Sequence, residues 1–300
     1  MRIVIAGGTG FLGAALVPRL RRAGHDVTVL ARHPRRPGER AWTPGGSSDG
    51  LAHVFDAADA VINLAGAPIA QRWTKAHKRE LWDSRVPLTR MIVEAMRSAP
   101  RAPGTLVNGS AIGIYGSRGD ESLTEDSPHG TGFLASLGTA WEREALAAEP
   151  FTRVVLLRTG IVLGRDGGAL PQMALPFRFF VGGPLGSGRQ YLSWIHLEDW
   201  MTMAVRALTD AAVSGPLNVT APNPVTNRDF ARTLGHILRR PALLPAPAFA
   251  LRAVLGEMAD AIVTGQRVLP AKALRLGFRF QYPEVDAALR DALTRTPQRT

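Results

Sequence analysis

Short β-branched runs alternate with longer stretches of helical period through the first two thirds of the chain. Residues 2–6, 26–31, 60–64, 105–108 and 153–158, and later 217–220, read as strands. Helical patterns over 11–23, 75–99, 133–148 and 198–208 lie between them. Such alternation predicts an α/β fold, a Rossmann-like doubly wound parallel sheet with helices on both faces. From about residue 165 the pattern loosens. Residues 182–188 form a glycine-rich loop, and Thr226 with Asp229 has the form of a capping box opening a helix to about Arg239. A proline-punctuated segment at 241–247 precedes helical stretches at 248–264 and 283–293, and the last six residues read as a fraying end. The expected organisation is a dinucleotide-binding domain over 1–165, pocket-forming segments over 166–240 and a small, mostly helical C-terminal domain on the substrate side over 241–295.

Composition narrows the class. The chain is 45% hydrophobic and 20% charged, the balance of a folded globule and not of a disordered chain. A chain of this length buries roughly 75% of the surface its unfolded form exposes, so it needs no covalent staples. Zero cysteines exclude a disulfide framework, a thiolate metal site and a cysteine nucleophile, and are compatible with the cytoplasm. The 36 Lys+Arg against 25 Asp+Glu leave a charge of +11, and all the cations but Lys75, Lys78 and Lys272 are arginines. Clustered cations would point to nucleic acid. Here they are scattered without a block of like charge, so a nucleic-acid partner is disfavoured and compositional bias toward arginine is the plainer account. Four glycines and a threonine interrupt the apolar start from Ile3 to Val17. No window reaches the roughly 18 apolar residues of a spanning helix, and the chain reads as soluble, without a membrane partner.

The chemistry begins at Gly7-Gly8-Thr9-Gly10-Phe11-Leu12-Gly13, directly after the first strand and opening the first helix. Gly7, Gly10 and Gly13 supply a tight turn, a bare backbone for a pyrophosphate and close helix–sheet packing, while the helix N-terminus faces the anion. Pro18 falls inside that helix, where it should remove a hydrogen bond and kink the axis. The second strand runs into Arg32-His33-Pro34-Arg35-Arg36 with no carboxylate at its end. An adenosine 2′-phosphate would find Arg32 there, with Arg35 or Arg36 beside it, whereas the ribose of NAD would find no acceptor, so the cofactor expected is NADP(H).

These residues carry a resemblance. The glycine loop, Asn63-Leu64-Ala65-Gly66 and Trp194-Ile195-His196-Leu197-Glu198-Asp199 resemble extended short-chain dehydrogenases/reductases. Further motifs narrow the match: Ser84-Arg85, Ser110-Ala-Ile-Gly-Ile-Tyr115-Gly116, Trp141-Glu142, Arg158-Thr-Gly160-Ile-Val162-Leu-Gly164, Leu175-Pro-Phe177 and the 182–188 loop. With 265–270 and 277–280 they make the chain similar to the atypical "epimerase family protein" group, the YfcH- or SulA-like set with a C-terminal domain of unknown function. The resemblance implies a glycine loop holding pyrophosphate through Gly7, Thr9, Gly10, Phe11, Leu12 and Gly13, with Arg32 at the adenosine phosphate. It further implies Leu64 and Ala65 lining the cofactor, Glu80 and Arg85 as further contacts, and Val162 bordering the nicotinamide. Read without it, Glu80 and Arg85 are an ordinary pair on a helix surface.

The resemblance also exposes a departure. The superfamily's Tyr-x-x-x-Lys lets a tyrosine exchange a proton while hydride moves, but no such pair exists here. Anchored on Glu142, the two positions hold Leu134 and Gly138. Ser110 stands where the superfamily keeps a hydroxyl, and Tyr115 and His196 are the other candidate proton donors, each with a packing or helix-start role as the alternative. Asp199 reads as a cap of the helix after His196, and the 182–188 loop as a lid. Trp73, Trp141, Trp194 and Phe177 are pocket walls or core. No metal site is expected. Two readings remain open: an NADP-dependent oxidoreductase or epimerase-like enzyme acting on a small-molecule substrate, and a protein that senses NADP(H) without turnover. A homodimer is left open.

Overall fold

The apolar runs pair into one sheet. In the computed structural model, which describes residues 1–43 and 49–294, seven strands lie in the order β11-β7-β5-β4-β1-β2-β3 with every pairing parallel. They are β1 (Arg2–Ala6), β2 (Asp26–Ala31), β3 (Glu39–Ala41), β4 (Ala60–Asn63), β5 (Thr105–Ala111), β7 (Arg153–Thr159) and β11 (Gly215–Val219). The edge strand β3 is absent from the sequence reading because Glu39-Arg40-Ala41 carries no apolar alternation. Its backbone continues the β2 ladder instead, Val29 N–H to Gly38 O and Trp42 N–H to Ala31 O. The fraying end expected at 295–300 lies outside the described residues.

Helices cover both faces. On one, α1 (Phe11–Arg22) and α7 (Leu197–Thr209) bury Leu16, Leu20, Trp200 and Met203 against Ile3, Ile5, Val155 and Leu157. On the other, α2 (Asp49–Phe55), α4 (Val86–Ser98) and α5 (Phe133–Leu146) bury Phe55, Ile92, Met96 and Ala145 against Val4, Val61, Leu106 and Leu156. Alternate residues of each strand thus serve opposite cores, as a doubly covered parallel sheet requires. Helix α1 runs through Pro18 without ending.

The helix expected over 75–99 is two. Thr74 caps α3 (Lys75–Asp83) by accepting from the His77 N–H, and α4 restarts with Pro87 in its first turn, where a missing N–H is harmless. Between them Arg85 leaves helical geometry at φ −123, ψ −60. The stretch expected as one helix over 248–264 likewise divides into α9 (Ala248–Leu255) and α10 (Met258–Thr264). Gly256 breaks it at φ +63, its backbone bridged to Trp73.

The remaining elements form the C-terminal side. They are β6 (Ser122–Leu123), β8 (Ile161–Leu163), α6 (Leu170–Arg178), β9 (Tyr191–Leu192), β10 (Trp194–His196), β12 (Val225–Thr226), α8 (Asn227–Leu238), β13 (Arg267–Val268), α11 (Ala271–Arg275) and α12 (Val285–Thr294). Three small two-stranded pairs, β10–β8, β12–β9 and β13–β6, lie within this side, apart from the seven-stranded sheet. No helix among the described residues is long and apolar enough to cross a membrane.

Candidate functional site

The chain leaves β1 toward β2 on one side and returns at β4 on the other, so the sheet order reverses between β1 and β4. Ligands of open parallel sheets sit beyond the carboxyl ends of the strands at such a point. The glycine loop lies there. Gly7 stands at φ +80, and a Cβ on it would come within 2.5 Å of the Leu64 carbonyl carbon. A Cβ on Gly13 would drive into the Gly7 carbonyl oxygen, while one on Gly10 would meet only Gly7 O at 3.4 Å. Gly7 and Gly13 are therefore required by packing, and Gly10 keeps the approach to the helix open. Gly10 is the N-cap of α1 and offers no side-chain acceptor, and no acidic residue lies in the first turn. The helix N–H groups are thus available to an anion.

Leu64 and Ala65 form the opposite lip. The Leu64 N–H donates to Ala6 O, and the Ala65 N–H donates to the Asn63 side-chain oxygen, which turns the chain just beyond β4. Asn63 is fully buried and donates to Asn108 and to the Thr89 hydroxyl, which also accepts from Trp141 Nε1. Val162 approaches from the far side. A Cβ on Gly168 would lie 2.8 Å from the Phe11 ring and 3.2 Å from Val162 O, and Gly164 and Gly167 press on the same ring. Phe11 is therefore clamped by a second set of glycines, a constraint visible in the sequence only as Gly164-x-x-Gly167-Gly168.

Arg32 is exposed at the end of β2 and makes no hydrogen bond or ion pair among the described residues. Arg35 and Arg36 differ, both donating backbone N–H groups to Glu39. Glu80 and Arg85 do not form a helix-surface pair. Glu80 is exposed and accepts from His77 Nδ1 at 2.9 Å, the other ring nitrogen of His77 facing Pro68 O. Arg85 turns inward beneath Gly66, donating to Ala67 O, Leu81 O and the Ser84 hydroxyl, with its guanidinium 5.2 Å from the Trp141 ring centroid. It is 7% exposed, and burial lowers its pKa to about 10. No carboxylate lies within ion-pair distance of it among the described residues.

The candidate proton donors are otherwise engaged. Ser110 donates to Glu142 Oε1 at 2.6 Å. Glu142 also receives both Arg158 Nε and a terminal Arg158 nitrogen, at 2.8 Å each, in a fully buried bidentate pair. Burial opposes the charge on Arg158, but the hydrogen bonds and charge of Glu142 outweigh it and hold the guanidinium above its ordinary pKa. Tyr115, expected beside a nicotinamide pocket, has no exposed surface. Its hydroxyl donates to Asn218 at 2.7 Å and accepts from Arg158 at 2.9 Å, and burial raises its pKa, with Arg158 opposing. His196 is 4% exposed and caps α7, its Nδ1 accepting the Glu198 N–H. Its Nε2 lies 3.3 Å from Asp291, and its ring stacks on Tyr282 at 3.9 Å. The expected cap Asp199 has another task, since its carboxylate accepts the Gln281 and Tyr282 N–H groups and anchors the C-terminal segment.

The positions of the missing pair are filled without polarity. A Cβ on Gly138 would lie 3.1 Å from Ile114 Cβ, so α5 packs closely on the 3-10 turn Ile112–Tyr115 where a lysine would stand. Leu134 packs against the apolar cluster that holds Trp73, Leu81 and Trp141. Trp141, Trp194 and Phe177 are all core residues at under a tenth exposure. The 182–188 loop is pinned, with Gly186 N–H donating to Ala246 O, Ala246 N–H to Pro184 O and Leu185 N–H to Asn227. A Cβ on Gly183 would collide with Leu244 O, so these glycines allow close strand approach rather than lid movement. Arg158 and Glu142 enter the sequence analysis only as motif residues, with no contact between them expected. The signal was present as a charged residue ending the apolar run Val154-Val155-Leu156-Leu157. No group of three His, Asp or Glu gathers to hold a metal among the described residues.

Comparison with known proteins places this arrangement. A model of the NAD dependent epimerase/dehydratase family matches residues 3–220, and a domain of unknown function (DUF1731) matches 246–292. Epimerase family protein YfhF of Bacillus subtilis is 42% identical over 298 residues, 96% of this chain and 97% of that protein. The chloroplastic homolog of epimerase family protein SDR39U1 from Arabidopsis thaliana is 41% identical over 300 residues, 97% of this chain and 86% of that one. The crystal structure of human epimerase family protein SDR39U1 (isoform 2) with NADPH superposes with a TM-score of 0.90 at 38% identity, covering 97% of this chain and 99% of that one. With the family model spanning most of the chain and these relatives matching nearly all of it, the chain belongs to the NAD dependent epimerase/dehydratase family.

Proposed function

We propose that the chain is an NADP(H)-binding protein that transfers hydride to or from a small-molecule substrate without a Tyr-x-x-x-Lys pair. The observation that carries the cofactor is the end of β2, where Arg32 is exposed and where, among the described residues, it is unpaired and no carboxylate stands to receive a ribose hydroxyl. The glycine cradle that any Cβ at Gly7 or Gly13 would fill fits a pyrophosphate. NADPH in the human relative's crystal structure supports the same cofactor here. Bound NADPH supplies a hydride from its nicotinamide. Gly7 to Gly13 would hold the diphosphate, Arg32 the adenosine phosphate, Leu64 and Ala65 the intervening sugar, and Val162 the nicotinamide side, with Arg85 as a buried cation beneath the β4 lip. Glu80 would act through His77.

Proton exchange then falls to solvent or to the substrate itself. Ser110 is committed to Glu142, Tyr115 to Asn218 and Arg158, and His196 to its cap. Such a site suits a substrate whose anion is delocalised after hydride arrives, as with an enone, because a localised alkoxide demands a positioned acid. The same engagement of every candidate donor favours the second reading, a protein that binds NADP(H) and reports its redox state without turnover. We assign the protein to the cytoplasm.

Fluorescence titration decides the cofactor. The parent should bind NADPH at least tenfold tighter than NADH, a difference of about 1.4 kcal/mol. Arg32→Ala should erase that preference, and equal affinities in the parent would overturn the assignment. Steady NADPH oxidation with any member of an enone and carbonyl panel supports the enzyme, and binding with no turnover across the panel supports the sensor.

A further inference from the structure

Among the described residues, every large hydrophobic side chain exposed to half or more lies in one of two stretches, 175–181 or 243–254. Phe179 is 70% exposed, Leu243 79% and Phe249 75%. The stretches meet in space. Leu244 N–H donates to Gly182 O, Leu185 bridges Ala246, and the Arg240 guanidinium lies 4.4 Å from the Phe180 ring centroid. Together they carry eight large apolar side chains at half exposure or more, where exposed apolar residues on an ordinary monomer are mostly scattered singly. Helix α9, which carries Phe249 and Val254, has no buried residue at all.

Phe180 adds a second observation. It adopts φ +63, one of two non-glycine residues in the left-handed region among those described. A bulky side chain there is strained, and its ring is more than half exposed.

The charge around the patch has one sign. Residues 167–197 and 230–256 contain no Asp or Glu, yet include Arg178, Arg189, Arg232, Arg239, Arg240 and Arg252. Arg232 and Arg252 pair with Asp229 and Asp260. Arg178, Arg239 and Arg240 are exposed with no acidic partner among the described residues. Two copies meeting face to face would oppose these cations, which disfavours self-association through the patch. Exposed aromatic and leucine side chains rimmed by unpaired arginines are instead complementary to a bilayer surface, the apolar groups entering at headgroup depth and the arginines meeting lipid phosphates.

We propose that this face docks the protein onto an anionic membrane surface, through Phe179, Phe180, Leu243 and Phe249 with Arg178, Arg239 and Arg240. The contact is peripheral, and it is independent of the assignment at the dinucleotide site.

Cosedimentation of the full chain with phosphatidylcholine vesicles, with or without roughly 30% phosphatidylglycerol, tests it. Binding to the anionic vesicles should exceed binding to neutral ones by at least about tenfold and should weaken as salt rises from about 0.1 to about 0.5 M. Phe179→Ser combined with Leu243→Ser should lower binding by about tenfold with an unchanged melting temperature, because neither side chain is part of the core. Phe180→Gly, at a backbone conformation glycine adopts freely, should also weaken binding without destabilising the fold. Equal binding to both vesicle types, full binding by these variants, or a dimer that the same substitutions dissociate in sedimentation equilibrium would each overturn the proposal.

Discussion

Arg85 and Arg158 are both buried guanidinium groups, but the protein treats them oppositely. Arg158 meets a carboxylate in bidentate geometry and is held charged above its ordinary pKa. Arg85 meets carbonyls, a hydroxyl and the Trp141 ring but no carboxylate among the described residues, and burial pulls its pKa down to about 10. A base whose folded-state value lies below its ordinary one is disfavoured in the native state wherever it is charged in both states. Substitution should therefore have different consequences. Glu142→Gln leaves Arg158 buried without its anion and should cost about 3–5 kcal/mol. Arg85→Met removes a charge that has no counter-ion, and should change stability by no more than about 1 kcal/mol while weakening NADPH binding. Urea unfolding midpoints with parallel NADPH titrations check both. A large stability loss in Arg85→Met with unchanged cofactor affinity would make Arg85 a purely structural residue. The pairing of Arg158 with Glu142 was not legible along the chain, since the two are joined only when β7 and α5 pack, whereas Arg85 entered through the resemblance as a cofactor contact. Gly7 and Gly13, by contrast, were legible, because the contact that demands them lies within their own loop and at the lip of the next strand.

Among elements, the strands were readable because each is a run of apolar residues long enough to be buried on both faces. The divided helices were not, because apolar period continues across Ser84–Arg85 and across Gly256, and only the turn geometry reveals the breaks. Helix α7 tests the meaning of His196. Its ring is an N-cap acceptor, and asparagine is among the best N-cap residues. His196→Asn should keep stability within about 1 kcal/mol and leave any turnover with its pH profile unchanged, whereas His196→Ala should lose about 1 kcal/mol from the cap alone. A pH profile flattened by His196→Asn would restore the histidine as a proton carrier. Helices α4 and α5 are clamped by Arg90 and Glu144, whose hydrogen bonds measure 2.8 and 2.9 Å. The Arg90 hydrogen bond, with its charge assisting, holds the Glu144 carboxyl below the usual carboxylate range. With a depressed folded-state pKa, this stabilisation is complete above the ordinary carboxylate value and is lost as pH falls through the folded one. Arg90 is half exposed, so Glu144→Gln should cost no more than about 1 kcal/mol near neutrality. Denaturation midpoints of parent and variant should converge as pH falls through the carboxylate range, and a constant gap would mean that packing and not charge sets the difference.

At the scale of the molecule, the boundaries expected at 165 and 240 describe the sequence better than the contacts. The C-terminal side is bound to the sheet by polar groups buried in it. Glu125 accepts the Asn218 N–H of β11 with one oxygen and the Lys272 N–H of α11 with the other. Lys272 donates to Ser214 O and Pro216 O beside the same strand, and burial lowers its pKa. Ser193 accepts the Val268 N–H, Asp199 holds Gln281 and Tyr282, and α12 buries Ala288 and Leu289 in the core shared with Phe230 and Leu234 of α8. Opening the C-terminal side alone would exchange each of these hydrogen bonds for water, at about 0.5–1.5 kcal/mol apiece, and would expose the apolar contacts of α12. The cost of several together approaches the whole stability of an ordinary domain, so separate opening should be as unfavourable as global unfolding. Native-state hydrogen exchange measures this directly. Amides of α11 and α12 should exchange with the same free energy and the same denaturant dependence as those of β5 and β7, and saturating NADPH should protect both sets equally, since binding to the native state alone stabilises everything that unfolds with it. Faster exchange in α11 and α12, unaffected by NADPH, would instead divide the molecule at the junction before α9. The C-terminal region would then be an independent unit carried by the dinucleotide fold.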